Sequence, residues 1–201
     1  MIIIIVRHGE TDYNKARRFQ GQLQIPLNEK GRTQAVHLAK SLKRYKITHI
    51  YSSNLVRARE TAEIINKSFS LPIVIDYRLD ERDWGIWENQ NRDEILKQIP
   101  ASGNIWNEEN LDANPYKGET TRNLMARCAQ FLDYLVENHS AADVVLVVTH
   151  GGPMRMILGI IKGLHDEQYL RQEIENGQIL IVRYENSRFI KEIHFIGNEH
   201  C

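Results

Sequence analysis

Cysteine is nearly absent. The 201 residues include only Cys128 and Cys201, far apart and outside any ligand spacing, which suggests a reducing compartment and no structural zinc built on cysteine. Net charge is lacking as well, since 26 Lys and Arg balance 26 Asp and Glu. No global field therefore favours nucleic acid or an anionic membrane as a partner, and any anion site has to be local. No apolar run approaches the roughly 20 residues that cross a bilayer. The opening Ile2 to Val6 is too short for a signal core and has no basic residue before it. These absences predict a soluble, cytoplasmic protein. Repeats and low-complexity tracts are also missing, and the length suits one domain, 1–201, able to bury a core without metal or disulfide.

What is present is a set of apolar runs separated by helical patterns. Strands are expected at 2–6, 48–51, 73–75, 144–149, 178–184 and 189–195. Asn28 can cap a helix with Ala35, Leu38, Ala39 and Leu42 on one face, and a second helix begins near Asn54 or Leu55 and buries Ala58, Ala62 and Ile65. Thr120 can cap a longer helix carrying Leu124, Cys128, Phe131 and Leu135 inward. Pro153 sits in the first turn of another, with Ile157, Ile160 and Ile161. Strand alternating with helix predicts an α/β fold of three layers, α/β/α, around a mostly parallel sheet. The turn Glu185-Asn186-Ser187-Arg188 makes its C-terminal edge antiparallel. Residues 76–118 are irregular, rich in Asn, Asp, Glu, Trp and Gly, and loops of this length are usually functional.

Two of the strands stop at histidines. Ile2 to Val6 runs into Arg7-His8-Gly9-Glu10-Thr11, and Val144 to Val148 into Thr149-His150-Gly151-Gly152. In open α/β sheets the carboxyl ends of strands are where ligands bind. A neutral imidazole can attack phosphorus without first losing a proton, which makes His8 the candidate nucleophile. Arg7 supplies a planar fork of donors matched to phosphate oxygens, and Arg57, early in a helix after Ser52-Ser53, supplies a second. His150 adds a donor. Spreading negative charge over such donors is most of what phosphoryl transfer requires, and Glu81 is the candidate acid for the leaving oxygen.

These motifs, in this order, resemble the histidine phosphatase superfamily, also called the phosphoglycerate mutase-like family, over essentially the whole chain. The matching segments are Arg7 to Thr11, Asn14, Arg18-Phe19-Gln20-Gly21, Pro26-Leu27-Asn28, Ser52-Ser53 through Arg57-Ala58 and Thr61, Leu79-Asp80-Glu81 with Gly85 to Glu88, and Thr149 to Gly152. The resemblance implies a pocket of Arg7, His8, Arg57 and His150, a phosphohistidine on His8 and a proton from Glu81. It implies substrate contacts from Asn14, Gln20, Gly21 and Gly151, and neither a cofactor nor a metal. A metal on His8, His150 and Glu81 is disfavoured by the two arginines, which would repel a cation. Each of these residues also has a plainer reading: a polar strand terminus, a solvated helix arginine, or one acid among the neighbours Asp80, Asp83 and Glu88. His37, His49, His139, His165, His194 and His200 are read as surface or packing residues.

A phosphatase hands the phosphoryl group to water, and a mutase returns it to a bound phosphorylated acid, so the loops decide between them. Ala101 to Glu119 carries Glu108, Glu109, Asp112 and Glu119 against Lys117 alone. Gln20-Gly21-Gln22 and Val56-Arg57 also depart from the mutase pattern's Ser-Gly-Trp and Lys-Arg. These departures favour a metal-independent phosphomonoesterase that releases inorganic phosphate from a small phosphorylated metabolite less densely charged than bisphosphoglycerate. Glu88-Asn89 departs in turn from the Glu-Gly common among the phosphatases. The alternatives are a cofactor-dependent phosphoglycerate mutase and a non-catalytic phosphate-binding module. Trp84, Trp87, Trp106 and Tyr116 either wall the leaving-group site or pin loops to the core. An exposed sheet edge or helix face could pair two chains as a homodimer.

Overall fold

The computed structural model describes residues 1–98, 111–114, 116–162, 173–186 and 188–190. Six strands form one sheet: β1 (Ile2–Arg7), β2 (His49–Ser52), β3 (Ile73–Ile75), β4 (Val144–Thr149), β5 (Ile179–Glu185) and β6 (Arg188–Ile190). Their order is β3-β2-β4-β1-β5-β6. The pairs β1/β4, β2/β4 and β2/β3 are parallel, whereas β1/β5 and β5/β6 are antiparallel. The helices are α1 (Asp12–Lys15), α2 (Glu29–Leu42), α3 (Val56–Asn66), α4 (Arg92–Gln98), α5 (Thr121–Asn138) and α6 (Gly151–Lys162).

The isoleucine run is continuous because both faces of β1 are covered. Successive strand residues point to opposite faces. Ile3 and Ile5 join Val145, Val147, Leu180 and Val182 in a core with Leu124, Phe131 and Leu135 of α5 and Ile157 of α6. Ile4 and Val6 join Leu146, Val148, Ile179 and Ile181 in the other core, with Leu38 and Leu42 of α2 and Ala58, Ala62 and Ile65 of α3. This is the three-layer α/β/α arrangement with an antiparallel edge that the patterning predicts. The helix starts follow the capping residues: Asn28 accepts from the Gly31 N–H at 2.8 Å, and Thr120 from the Asn123 N–H at 3.2 Å.

Differences are confined to places where periodicity carries little information. Strands β2 and β5 lie one residue later than expected, and the last strand is seen as Arg188–Ile190, the rest of 189–195 falling outside the described residues. Segment 76–118 is less irregular than its composition suggests, since it holds two 3₁₀ turns and α4. Helices α1 and α4 bury no residue, so neither leaves an apolar stripe in the sequence. Polar caps start them instead: Thr11 bonds Asn14 reciprocally, and Asn91 accepts from the N–H groups of Asp93 and Glu94.

The start of α2 is pressed against the loop that leaves β1. A Cβ on Gly9 would lie 2.4 Å from the Gly31 carbonyl oxygen, and one on Gly31 would lie 2.1 Å from that of Glu10. Both contacts are backbone, so neither can swing aside. Gly31→Ala should therefore destabilise the fold by about 1–3 kcal/mol, as overpacking does. The measurement is a urea unfolding curve, and an unchanged midpoint would show that the loop carrying His8 yields.

Candidate active site

Strands β1 and β4 end level with one another. Arg7 pairs with Thr149, and the His8 N–H donates to the Thr149 carbonyl at 3.0 Å. His8 and His150 therefore leave adjacent strands together, their ring centroids 5.0 Å apart. Both are buried, 2% and 0% exposed. Burial, then the charges of Arg57 and Arg7, pushes His8 well below the ordinary histidine range. Burial, then Arg57, does the same to His150.

Hydrogen bonds set the tautomer of each ring. His8 Nδ1 lies 2.7 Å from the Gly9 carbonyl oxygen, which can only accept, so Nδ1 carries the proton and Nε2 keeps its lone pair. His150 Nε2 lies 2.8 Å from Ser53 Oγ, while Ser53 donates to Asp80 Oδ1 at 2.6 Å. Ser53 thus accepts from His150 Nε2–H, which leaves Nδ1 as the basic nitrogen. That Nδ1 is buried without a hydrogen-bond partner. It can become a donor only by taking a proton, which a phosphate dianion beside it would favour.

The arginines are held from behind. Arg57, 0% exposed, donates to the carbonyls of Leu23 and Gly21 at 2.9 and 2.7 Å, and Arg7 donates to that of Ile174. Each guanidinium keeps its Nε buried and unbonded. Burial lowers both to about 10, with Arg155 a further cause for Arg7. Two buried cations with unspent donors form an environment that an oxyanion would relieve.

A cavity of about 100 Å³ is lined by Arg7, His8, Asn14, Gln20, Gly21, Arg57, Glu81 and Gly151. His150 lies behind it, ring against His8. Glu81 is held at the start of α6, where Oε2 accepts from the Gly152 N–H at 3.3 Å and Oε1 from the Arg82 N–H at 2.8 Å. Asn14 Oδ1 accepts from the Thr11 N–H at 3.1 Å and from Asn176 Nδ2 at 3.2 Å. Gln20 accepts from the Thr11 hydroxyl at 2.9 Å. Gly21 has φ +50°, and a Cβ there would strike the Glu88 carboxylate. At Gly151 the missing side chain lets Arg7 and Arg155 approach.

The walls also hold Arg18, Arg92 and Arg155. Arg18 belongs to a quoted motif, but Arg92 and Arg155 were not foreseen as wall residues. For Arg155 a signal existed, because it follows Gly151 by one helical turn and so shares its face. Ser53 and Asp80 orient His150, whereas the sequence offers Ser53 only in the serine pair before Arg57 and Asp80 only as a rival acid to Glu81. The acid-rich stretch Ala101 to Glu119 falls largely outside the described residues, and the wall that is described is basic. Trp84 lines the cavity but also packs on Phe19, Trp87 and Tyr116. Tyr116 is core, and Trp106 lies outside the described residues.

A buried anion pocket at the carboxyl ends of a doubly covered sheet is the architecture of a phosphoryl-handling protein. The chain belongs to the histidine phosphatase superfamily (branch 1), whose family model matches residues 3–195. It is 34% identical over 192 residues to the probable phosphoglycerate mutase GpmB of Photorhabdus laumondii, covering 94% of this chain and 87% of that one. It is 39% identical over 158 residues to phosphoglycerate mutase-like protein 4 of Arabidopsis thaliana, covering 77% and 68%. A mycobacterial glucosyl-3-phosphoglycerate phosphatase in complex with VO3 superposes with a TM-score of 0.85 at 28% identity, covering 96% and 97% of the two chains. Bacillus stearothermophilus YhfR superposes with a TM-score of 0.85 at 32% identity, covering 96% and 95%. Members of the superfamily are phosphatases or mutases.

The depressed histidines make stability depend on pH. Unfolded, each imidazole takes a proton near pH 6.5. Folded, His8 and His150 do so only well below that. Their stabilisation is present above about pH 6.5 and is lost as the pH falls below it, by about 1.4 kcal/mol per pH unit for each residue. Urea unfolding at pH 7.5, 6.5 and 5.5 should show a shallower loss for His150→Gln than for the wild type. Equal slopes would mean that His150 is already protonated in the folded chain.

Proposed function

We propose that the protein is a metal-independent phosphomonoester hydrolase that works through a phosphohistidine on a small phosphorylated metabolite. The observation that carries this reading is the Nδ1–H bond of His8 to the Gly9 carbonyl, which leaves Nε2 basic inside a pocket bounded by Arg7 and Arg57. A nucleophile already neutral, oriented and flanked by cations needs no base to activate it. The two buried guanidiniums would repel a metal ion and themselves stabilise the charge it would otherwise offset.

The reaction runs in two displacements. His8 Nε2 attacks phosphorus, the bond from phosphorus to the ester oxygen breaks, and that oxygen leaves with its electron pair and takes the proton of Glu81. His150 Nδ1, protonated by the presence of the dianion, bonds an equatorial oxygen alongside Arg7 and Arg57. Glu81, now a carboxylate, accepts a proton from water as the water oxygen attacks phosphorus. The phosphorus–nitrogen bond breaks, and inorganic phosphate is released.

The basic wall of Arg18, Arg92 and Arg155 favours a substrate with a second anionic group, such as a carboxylate. That also keeps the mutase as the competing reading, in agreement with the names of the sequence relatives. The non-catalytic binder has less support, because it needs neither a fixed nucleophile tautomer nor Glu81 beside it. The neighbour's vanadate complex suggests a test of this point, since vanadate should bind an enzyme much more tightly than phosphate does.

Phosphate release from an aryl phosphate in the presence of chelator is the expected activity. Brisk interconversion of phosphoglycerates without net release would establish the mutase instead. His8→Ala should abolish both turnover and the acid-labile phosphoenzyme. Glu81→Gln should slow alkyl phosphates by about 10²–10⁴ fold and aryl phosphates far less, because only a poor leaving group needs the proton. Equal slowing of the two would point to another acid.

A further inference from the structure

We propose that His49, His139 and Asp143 form a binding site for a divalent cation of the zinc type, at the end of the sheet opposite the phosphate pocket. His49 opens β2, Asp143 immediately precedes β4, and His139 ends α5, so the three gather where the parallel strands begin. One nitrogen from each imidazole and a carboxylate oxygen all lie within 4.8 Å of one another, the only such trio among the described residues. His49 Nδ1 is 3.8 Å from Asp143 Oδ1, and His139 Nδ1 is 3.9 Å from Oδ2. Both separations are too long for a hydrogen bond. Ligand atoms about 2.0–2.1 Å from a tetrahedral zinc are about 3.3 Å apart, so side-chain shifts of up to about 1.5 Å would close the set.

The second observation is His139 itself. Its side chain is 4% exposed, and Nδ1 is buried with no hydrogen-bond partner. A buried polar nitrogen in that condition costs stability unless something binds it. Its other nitrogen, Nε2, is 3.0 Å from the Tyr51 hydroxyl, which neighbours Tyr134 and can turn its own proton that way. Tyr51 then accepts from Nε2–H, which keeps the lone pair on Nδ1, the outer-shell arrangement that metal-binding histidines use.

The remaining ligands are similarly prepared. Asp143 Oδ2 accepts from the Ser140 N–H at 2.7 Å and from its hydroxyl at 2.9 Å, which fixes the carboxylate. The Thr48 hydroxyl lies within 3.2 Å of His49 Nδ1, Asp143 Oδ1 and the Val144 carbonyl, so it can release the histidine and keep an acceptor. With His49 46% and Asp143 21% exposed, water can fill a fourth position. Two imidazoles and one carboxylate suit zinc, cobalt(II) or nickel(II) better than magnesium or calcium.

The test uses the full chain, stripped with chelator and titrated with zinc chloride in a calorimeter, with cobalt(II) absorption as a second readout. One zinc per chain and the intense visible bands of tetrahedral cobalt(II) are expected. His49→Ala and Asp143→Asn should each weaken zinc at least tenfold while phosphate release stays unchanged. Both residues are partly exposed, which keeps the variants foldable. Absence of binding would overturn the proposal. So would zinc binding that survives His49→Ala and is lost in His8→Ala, since the ion would then sit in the phosphate pocket.

Discussion

Everything in the phosphate pocket depends on the parallel register of β1 with β4. Arg7 lies opposite Thr149, so the next residue on each strand, a histidine in both cases, leaves the sheet at the same height and on the same side. Pairing of Ser52 with Val148 brings the end of β2 to the same level, and with it Ser53 and the start of α3, where Arg57 sits. A slip of one residue would turn every side chain of a strand to the opposite face. Such a slip is prevented by the core, because each β4 residue from Val145 to Val148 is buried on one face or the other.

This register concentrates positive charge in a small cavity that is largely shielded from solvent. Arg7, Arg57 and His8 line the pocket with His150 against them, and burial lowers both arginines and holds both histidines well below the ordinary range. The unpartnered Arg7 Nε, Arg57 Nε and His150 Nδ1 are the remaining cost. An oxyanion bound among them would offer these groups acceptors, and because binding is linked to folding it would also stabilise the folded chain. In the proposed reaction the same donors would bond most strongly where charge is greatest, at the transferring phosphoryl group, which is what preorganisation contributes to catalysis.

How legible these features were in the sequence followed how local their signals are. Runs ending in Arg7-His8-Gly9 and Thr149-His150-Gly151 show the strands and their functional ends directly, and the helix faces of Leu38 and Leu42 or Leu124 and Phe131 show the layers. Helix α4 has no apolar stripe, so only the Asn91 cap could have announced it. Arg92 lines the pocket from that helix, which is why it was missed. The link from Asp80 through Ser53 to His150 joins three elements through hydrogen bonds, and no spacing rule encodes such a chain. His49, His139 and Asp143 belong to three different elements and meet only because β2 and β4 are neighbours.

The leaving-group side of the pocket bears on the choice between hydrolysis and return of the phosphoryl group. Arg7, Asn14, Arg18 and Arg92 are shared with an adjoining chamber of about 450 Å³, which also contains Glu10, Glu173, Glu175, Arg17 and Lys30. A mutase has to hold the dephosphorylated acid while it turns, which calls for a wall of uniformly positive charge. Here the carboxylates of Glu10, Glu173 and Glu175 share the lining with the cations, so its charge is mixed. The mostly polar lining also admits water. A chamber of mixed charge would hold a departing anion less firmly than a uniformly basic one, and that is the ground on which the hydrolase is proposed ahead of the mutase.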